Sequence, residues 1–421
     1  MRYIWLFFMG RKVKFIHKNK FTKGIKKISI CFCLICTMVL CGGIKYEITY
    51  ANTLSLYSKA YALTDGNNGR VLVGENETKP MANASTTKIL TCIVTLENSS
   101  MDEMVTISAN ASSQPKVRLG MGEGEIYPLK DMLYGLMLES YNDCAVAIAE
   151  HIAGSVEEFA KLLNQKAKEL GCKDTYFITP NGLDAQTENT FHHTTAQDLC
   201  LIMSYCTWES PKSEQFLEIT QTSNYSGGTK GQTYSFVNRN SFLNQMDGVL
   251  TGKTGYTSKA GYCYVAALER NGERFCIALL ACGWPDNKNW KWQDAKELLN
   301  YGIENYDNQE LKKHTICEKI MVDGYVDRPL FGFINQEMYV NAIGEQQQLN
   351  FLCKEGERVY KEIVWKEDIS LPIDKGEILG NCYIYLEDEQ ILEVPLKAEY
   401  ACDEWKLADV MKSIFFQFVR F

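Results

Sequence analysis

The chain places a serine and a lysine three residues apart at Ser85 and Lys88, ahead of the apolar run Ile89–Leu96. On a helix, positions three apart share a face. A serine there becomes a nucleophile if a neighbouring base takes its proton. A lysine amine can be that base when burial and a nearby positive charge depress its pKa. The spacing alone is weak, since a chain this long supplies roughly one or two such pairs by chance. The sequence holds a second at Ser113 and Lys116, but Pro115 sits inside it and no helical pattern follows.

Two further stretches offer matching chemistry. In GLMLESYNDCAVAIAEHIAG, residues 135–154, a helix, a turn and a second helix are expected, with Ser140, Tyr141 and Asn142 in the turn. Asn142 or Asp143 could equally be an ordinary helix cap. A rival S-x-N stands at Ser108–Asn110, with no apolar helix close behind it. In DGVLTGKTGYTSKAGYC, residues 247–263, Lys253, Thr254 and Gly255 form the one K-T-G of the chain. A lysine on a strand is often merely solvated, whereas glycine after Lys-Thr suits a strand that a ligand must approach closely. In this order, S-x-x-K, S-x-N and K-T-G are closely related to the elements of class A β-lactamases and penicillin-binding proteins.

The elements that must carry these residues read as strands, then helices, then strands. Residues 59–63 and 70–73 flank Asp65-Gly66-Asn67-Asn68-Gly69 and read as a hairpin. Helices dominate to about residue 206, among them one opened by a Ser155–Glu158 capping box and closed by Gly171. Strands return at 262–268 and 274–281, joined through Asn271-Gly272, and a helix over about 290–301 closes the domain. The fold class is α+β, an antiparallel sheet flanked by helices. Polar residues 303–313 suggest a boundary, and short strands at 319–322, 359–365, 382–385 and 391–395 suggest a smaller β-rich domain. The expected division is 1–51, 52–306, 307–400 and 401–421.

Composition narrows the setting. Residues 1–51 carry ten Lys or Arg and one acid, with Lys23, Lys26 and Lys27 ahead of an apolar run over residues 28–40. That is an export signal, with a cleavage site at Thr49-Tyr50-Ala51. The run is shorter than the roughly 20 residues a spanning helix needs. The rest of the chain carries 34 bases against 51 acids. So acidic a protein is a poor partner for nucleic acid, which needs clustered cations. Twelve cysteines follow the signal, scattered and mostly in apolar runs, and read as small buried hydrophobes. No metal-ligand spacing and no cofactor motif is present. In residues 401–421, DEWKLADVMKSIFFQFVRF (403–421) repeats apolar residues at a helical period around one narrow polar stripe. Its charges interrupt it too often for a span, and it reads as an interfacial membrane helix.

From about residue 55 to its end the sequence resembles the low-molecular-weight penicillin-binding proteins that are D-alanyl-D-alanine carboxypeptidases, serine peptidase family S11. The three motifs carry the resemblance, with LNQKAKELGCKDTYFITPNGLD (163–184) and HHTTAQDL (192–199). It implies a catalytic domain followed by a small β-rich domain and a membrane-binding terminal segment. It implies Ser85 as nucleophile, Lys88 as its base and Ser140 as proton relay to the leaving amine. Asn142 would position the substrate amide, and Lys253 and Thr254, ahead of Gly255, would hold the terminal carboxylate. The N–H groups of Ser85 and Tyr256 would form the oxyanion hole, and Lys291 stands where some members have a carboxylate-binding arginine. Peptidoglycan stem peptides are the implied substrate and β-lactams covalent inhibitors of the same serine, at the outer face of the membrane. Tyr141 departs from the small residue common within S-x-N. A β-lactamase-like hydrolase and a catalytically inactive wall-binding protein are the alternative readings.

Overall fold

A computed structural model describes residues 54–229, 232–322, 338–402 and 415. The expected export signal, residues 1–51, and all of the expected anchor beyond Cys402 except Phe415 lie outside them.

Strands β1 (Ala60–Asp65) and β2 (Val71–Glu75) form the first hairpin. Helix α1 (Lys88–Asn98) follows a short 3-10 turn, Ala84–Thr87. A small ladder of β3 (Met104–Thr106) with β4 (Ile126–Pro128) encloses the short helix α2 (Ala109–Ser112). Then come α3 (Leu129–Tyr134), α4 (Asn142–Ala153), α5 (Val156–Glu169), α6 (Ala196–Ser204) and α7 (Ser213–Gln221). The capping box is present, with Ser155 Oγ accepting from Glu158 N at 3.1 Å. The helical stretch runs past residue 206 to Gln221 and ends in a hairpin the sequence reading lacked, β5 (Asn224–Thr229) with β6 (Gln232–Val237). The remaining strands of the first sheet are β7 (Val249–Thr257), β8 (Gly261–Arg270) and β9 (Glu273–Leu280), and α8 (Trp290–Asn305) follows.

The sheet order is β2-β1-β9-β8-β7, antiparallel throughout. Its central strands are buried on both faces, which is why they read as continuous apolar runs. The two faces still differ in size. Ala60, Ala62, Cys263, Val265, Ala267, Cys276 and Ala278 point into the larger helical core with α1, α4 and α6. Tyr61, Leu63, Tyr264, Leu268, Phe275, Ile277 and Leu279 point the other way, against Ala295, Leu298 and Leu299 of α8. Small residues on one face let the helical layer approach closely, and cysteine serves there as a small hydrophobe. The twelve cysteines among the described residues are all free thiols. Asn271 and Gly272 both take positive φ, +55° and +84°, as a two-residue hairpin turn requires.

The polar stretch 303–313 is not a linker. Helix α8 runs to Asn305, and β10 (Tyr306–Leu311) begins at the next residue. Strand β10 pairs with β13 (Leu349–Lys354) along its whole length. Its sequence, YDNQEL, lacks a strand pattern because pairing and the burial of Tyr306 define it. The second five-stranded sheet has the order β11-β12-β16-β15-β14. It comprises β11 (His314–Val322), β12 (Met338–Gln346), β14 (Val359–Trp365), β15 (Ile378–Leu386) and β16 (Glu389–Ala398).

A polar joint ties this region to the first hairpin. Asp65 Oδ2 accepts from Leu352 N at 2.7 Å, and Arg70 Nη2 donates to Leu352 O at 2.8 Å. Arg70 also grips Glu357 in a two-point pair, each contact 3.0 Å. Bidentate geometry of this kind fixes orientation as well as distance.

Candidate active site

Ser85 stands on the 3-10 turn that opens α1, and the backbone there is clamped from two sides. Ala84 holds φ +50°, an unfavourable value for a residue with a side chain. A Cβ on Gly182 would lie 1.9 Å from Ala84 O, and one on Gly255 would lie 2.9 Å from Ser85 N. Both positions need glycine because backbone meets backbone there. The side chain of Asn83 braces the turn from within, donating to Thr86 Oγ1 and Thr87 Oγ1, each at 2.9 Å.

Lys88 lies one turn on, wholly buried. Its Nζ contacts Ser85 Oγ at 2.8 Å, Asn142 Oδ1 at 2.9 Å and Asn181 O at 2.9 Å. Burial, and then the positive charge of Lys253, hold its pKa well below the ordinary lysine value. A neutral amine has two N–H donors and one lone pair. The Asn142 and Asn181 oxygens can only accept, so they take the two N–H groups. The lone pair is then left for the Ser85 hydroxyl, which is the arrangement a general base requires.

Lys253 is buried on β7, and its Nζ donates to Ser140 Oγ at 3.1 Å and to Thr254 O at 3.0 Å. Desolvation brings its pKa down to about 7. Ser140 follows a single widened turn, Gly135–Glu139, and takes a left-handed conformation with φ +65°. Such turns recur at functional sites. Buried Glu139 ties it down by accepting from Val237 N at 2.8 Å and Arg239 Nε at 2.7 Å. Neither Asn142 nor Asp143 is the helix cap, which is Tyr141 and makes no side-chain bond. Asp143 instead accepts from Leu119 N at 3.0 Å and Gly120 N at 2.8 Å. Asn142 N donates to Val117 O at 2.8 Å, and its side-chain amide donates to Pro115 O at 3.2 Å. The start of α4 thereby secures the loop opposite Ser85.

A cleft of about 460 Å³ opens over Ser85, with Ser140, Asn142, Thr254, Gly255, Tyr256 and Lys291 on its walls. Lys253 stands behind Thr254 with its ammonium on Ser140. Lys291, at the start of α8, is buried, with its ammonium over the Tyr262 and Trp292 rings at 4.6 and 4.5 Å and bonded to Lys288 O. Desolvation lowers its pKa to about 8. Tyr141 turns away from the cleft, its ring edge-on to Phe236 at 5.5 Å, so the departure within S-x-N falls on core packing. Among the described residues lining the cleft the one carboxylate is Glu139, already engaged with Arg239.

The rival motifs have other occupations. Ser108 caps α2 by accepting from Ala111 N at 2.9 Å and donates to Glu150. Ser113 is exposed and donates to Asn110 O at 2.9 Å. The sequence reading missed Asn181, whose carbonyl takes a Lys88 N–H. A backbone acceptor leaves no side-chain signature, and the only pointer was its place in TPNGLD.

A family model described as D-alanyl-D-alanine carboxypeptidase matches residues 47–281, and the C-terminal domain of penicillin-binding protein 5 matches residues 349–404. The D-alanyl-D-alanine carboxypeptidase DacF of Bacillus subtilis is 30% identical over 352 residues, covering 81% of this chain and 85% of its own. DacD of Escherichia coli, a carboxypeptidase of the same description, is 26% identical over 81% of this chain and 86% of its own. In fold, the chain is similar to penicillin-binding protein 5 of Haemophilus influenzae. The TM-score is 0.65 at 22% identity, over 83% of this chain and 99% of that one.

Proposed function

This chain belongs to the D-alanyl-D-alanine carboxypeptidase family, and from that premise we propose which of its residues do the work. It is a serine-type D-Ala-D-Ala carboxypeptidase of the low-molecular-weight penicillin-binding class, acting on peptidoglycan. Ser85 is the nucleophile and Lys88 the base. The observation that carries this is the 2.8 Å contact between Lys88 Nζ and Ser85 Oγ, with two acceptors engaging the amine's other positions.

Lys88 takes the Ser85 proton as Oγ attacks the carbonyl carbon of the penultimate D-alanine. The N–H groups of Ser85 and Tyr256 receive the negative charge that develops on the carbonyl oxygen, as a preorganised oxyanion hole. The C–N bond breaks, and Ser140 passes a proton to the departing D-alanine amine. Water then hydrolyses the ester on Ser85. Asn142 lines up the peptide backbone. Thr254 and Lys291 face the terminal carboxylate across the cleft, and Lys253 adds positive charge from behind Ser140. Replacing Ser85 by Ala should abolish release of D-alanine and the mass increment left by penicillin. A penicillin adduct on the Ser85→Ala protein would refute the assignment.

We assign residues 52–306 to catalysis and 307–400 to the small domain. The leader, residues 1–51, directs export, and the segment 401–421 lies on the outer face of the cytoplasmic membrane as an amphipathic helix. No helix among the described residues is long and apolar enough to cross a membrane. The composition of 403–421 supports the interfacial reading, since Lys406, Lys412 and Arg420 accompany one apolar face. Removing 403–421 should move the processed enzyme into the soluble fraction with its activity on a short peptide intact. Continued sedimentation with membranes would overturn the anchor.

A further inference from the structure

The motif HHTTAQDL (192–199) has no part in the chemistry above, yet its first residue sits directly beneath the nucleophile turn. His192 is buried, with its ring stacked on Phe177 at 5.1 Å. Its Nδ1 accepts from Ile178 N at 3.0 Å and from Thr179 N at 3.3 Å. Backbone N–H groups can only donate, so Nδ1 carries no proton and the ring proton is on Nε2. That proton is directed to Thr87 Oγ1, 2.9 Å away. Thr87 Oγ1 can receive it, because it spends its own proton on Ala84 O at 3.0 Å. One neutral imidazole thus joins the turn carrying Ser85 to the stretch of chain entering Asn181.

That stretch is fixed on both sides of the imidazole. Asn164 pairs with both backbone groups of Phe177, at 2.7 and 2.8 Å, and Thr91 Oγ1 donates to Pro180 O at 2.7 Å. The next carbonyl, Asn181 O, is one of the two acceptors that orient the Lys88 amine, and Ser85 Oγ lies 3.4 Å from it. We propose that His192 is a positioning residue for the base: it holds the Asn181 carbonyl at the distance from the Ser85 turn that keeps the Lys88 lone pair on the Ser85 hydroxyl. The proposal rests on the assignment of Ser85 and Lys88 above.

The test uses the full chain and three variants. His192→Phe keeps the ring's bulk and removes both bonds. His192→Asn keeps an acceptor near the Nδ1 position, and His192→Gln keeps a donor near the Nε2 position. Acylation by a fluorescent penicillin is measured across pH and divided by the number of titratable sites, so that loss of folded protein drops out. General-base assistance is worth about 10²–10⁴-fold. His192→Phe should lower the second-order rate per site about 10²-fold, His192→Gln about tenfold, and His192→Asn about threefold, none exceeding what loss of base assistance would cost. The acid limb should also move to lower pH in His192→Phe. Both forms of Lys88 donate to the Asn181 carbonyl, but the charge-assisted bond from the ammonium is the stronger, so losing that carbonyl lowers the Lys88 pKa further. The groups acting on Lys88 besides it are Lys253 on β7 and Asp143 and Cys144 on α4, none of which the variants touch. Wild-type acylation per site in His192→Phe would overturn the proposal. So would a slowed rate with an unmoved limb, or His192→Gln outperforming His192→Asn. Labelling of Ser85→Ala would instead overturn the nucleophile assignment itself.

Discussion

Ser85 with Lys88 and Ser113 with Lys116 are the same motif in one chain, with opposite fates. Lys88 is wholly buried and Lys116 is exposed. Ser85 leads an eleven-residue helix, whereas Ser113 trails a four-residue one. Lys88 finds two acceptors, a serine hydroxyl and a second buried lysine, while Ser113 spends its proton on Asn110 O. Spacing supplies the residues; burial and neighbouring charge supply the reactivity. A lysine is a useful base near neutral pH only where its charged form is penalised.

The sharpest way to break the comparison is to exchange outcomes at the two serines. Ser85→Ala should remove all measurable D-alanine release, and Ser113→Ala should leave it at the wild-type level. The reverse pattern would mean that the buried site is inert. At the lysines, Lys88→Gln should slow acylation by about 10²–10⁴-fold, read as the rate of fluorescent penicillin labelling. Lys116→Ala should change that rate far less, since Lys116 lines the cleft from an exposed loop.

The second buried lysine tests the cause of the difference. Lys253 falls from about 10.5 unfolded to about 7 folded. Between those values the unfolded chain binds more protons than the native one, so stability rises with pH. Below about 7 both states are charged, and the native protein carries the full cost of burying the charge. The melting temperature of the wild type should therefore climb more steeply from about pH 7 to 9 than that of Lys253→Met. Parallel curves would mean that Lys253 is not desolvated in solution. The smallest effect belongs to the rival S-x-N. Ser108→Ala should cost about 1 kcal/mol for a lost helix cap, by denaturant melting, with turnover unchanged, while Ser140→Ala should lose turnover.

Much of this contrast is legible in the sequence. Pro115 marks the decoy, and the apolar run after Lys88 announces a helix whose first turn must be buried. The apolar strands β8 and β9 and the Asn271-Gly272 turn are equally plain. What escapes is held together by backbone groups or by distant partners. The Asn181 carbonyl has no residue type to announce it. Strand β10 is polar, and only its pairing with Leu349–Lys354 makes it a strand. The β5–β6 hairpin escapes for a similar reason: its anchor is Asp131, far back in the chain, which accepts from the Tyr225 and Tyr234 hydroxyls.

The polar joint at Asp65 and Arg70 has a mechanical consequence. It makes β1, a strand of the catalytic sheet, continuous in stiffness with the ladder of the small domain. Arg70 is held at three points, one backbone carbonyl and both oxygens of Glu357, so the junction resists bending as well as pulling. A load applied to the β10–β13 ladder is therefore passed into β1 and, through its pairing with β9, into the first sheet.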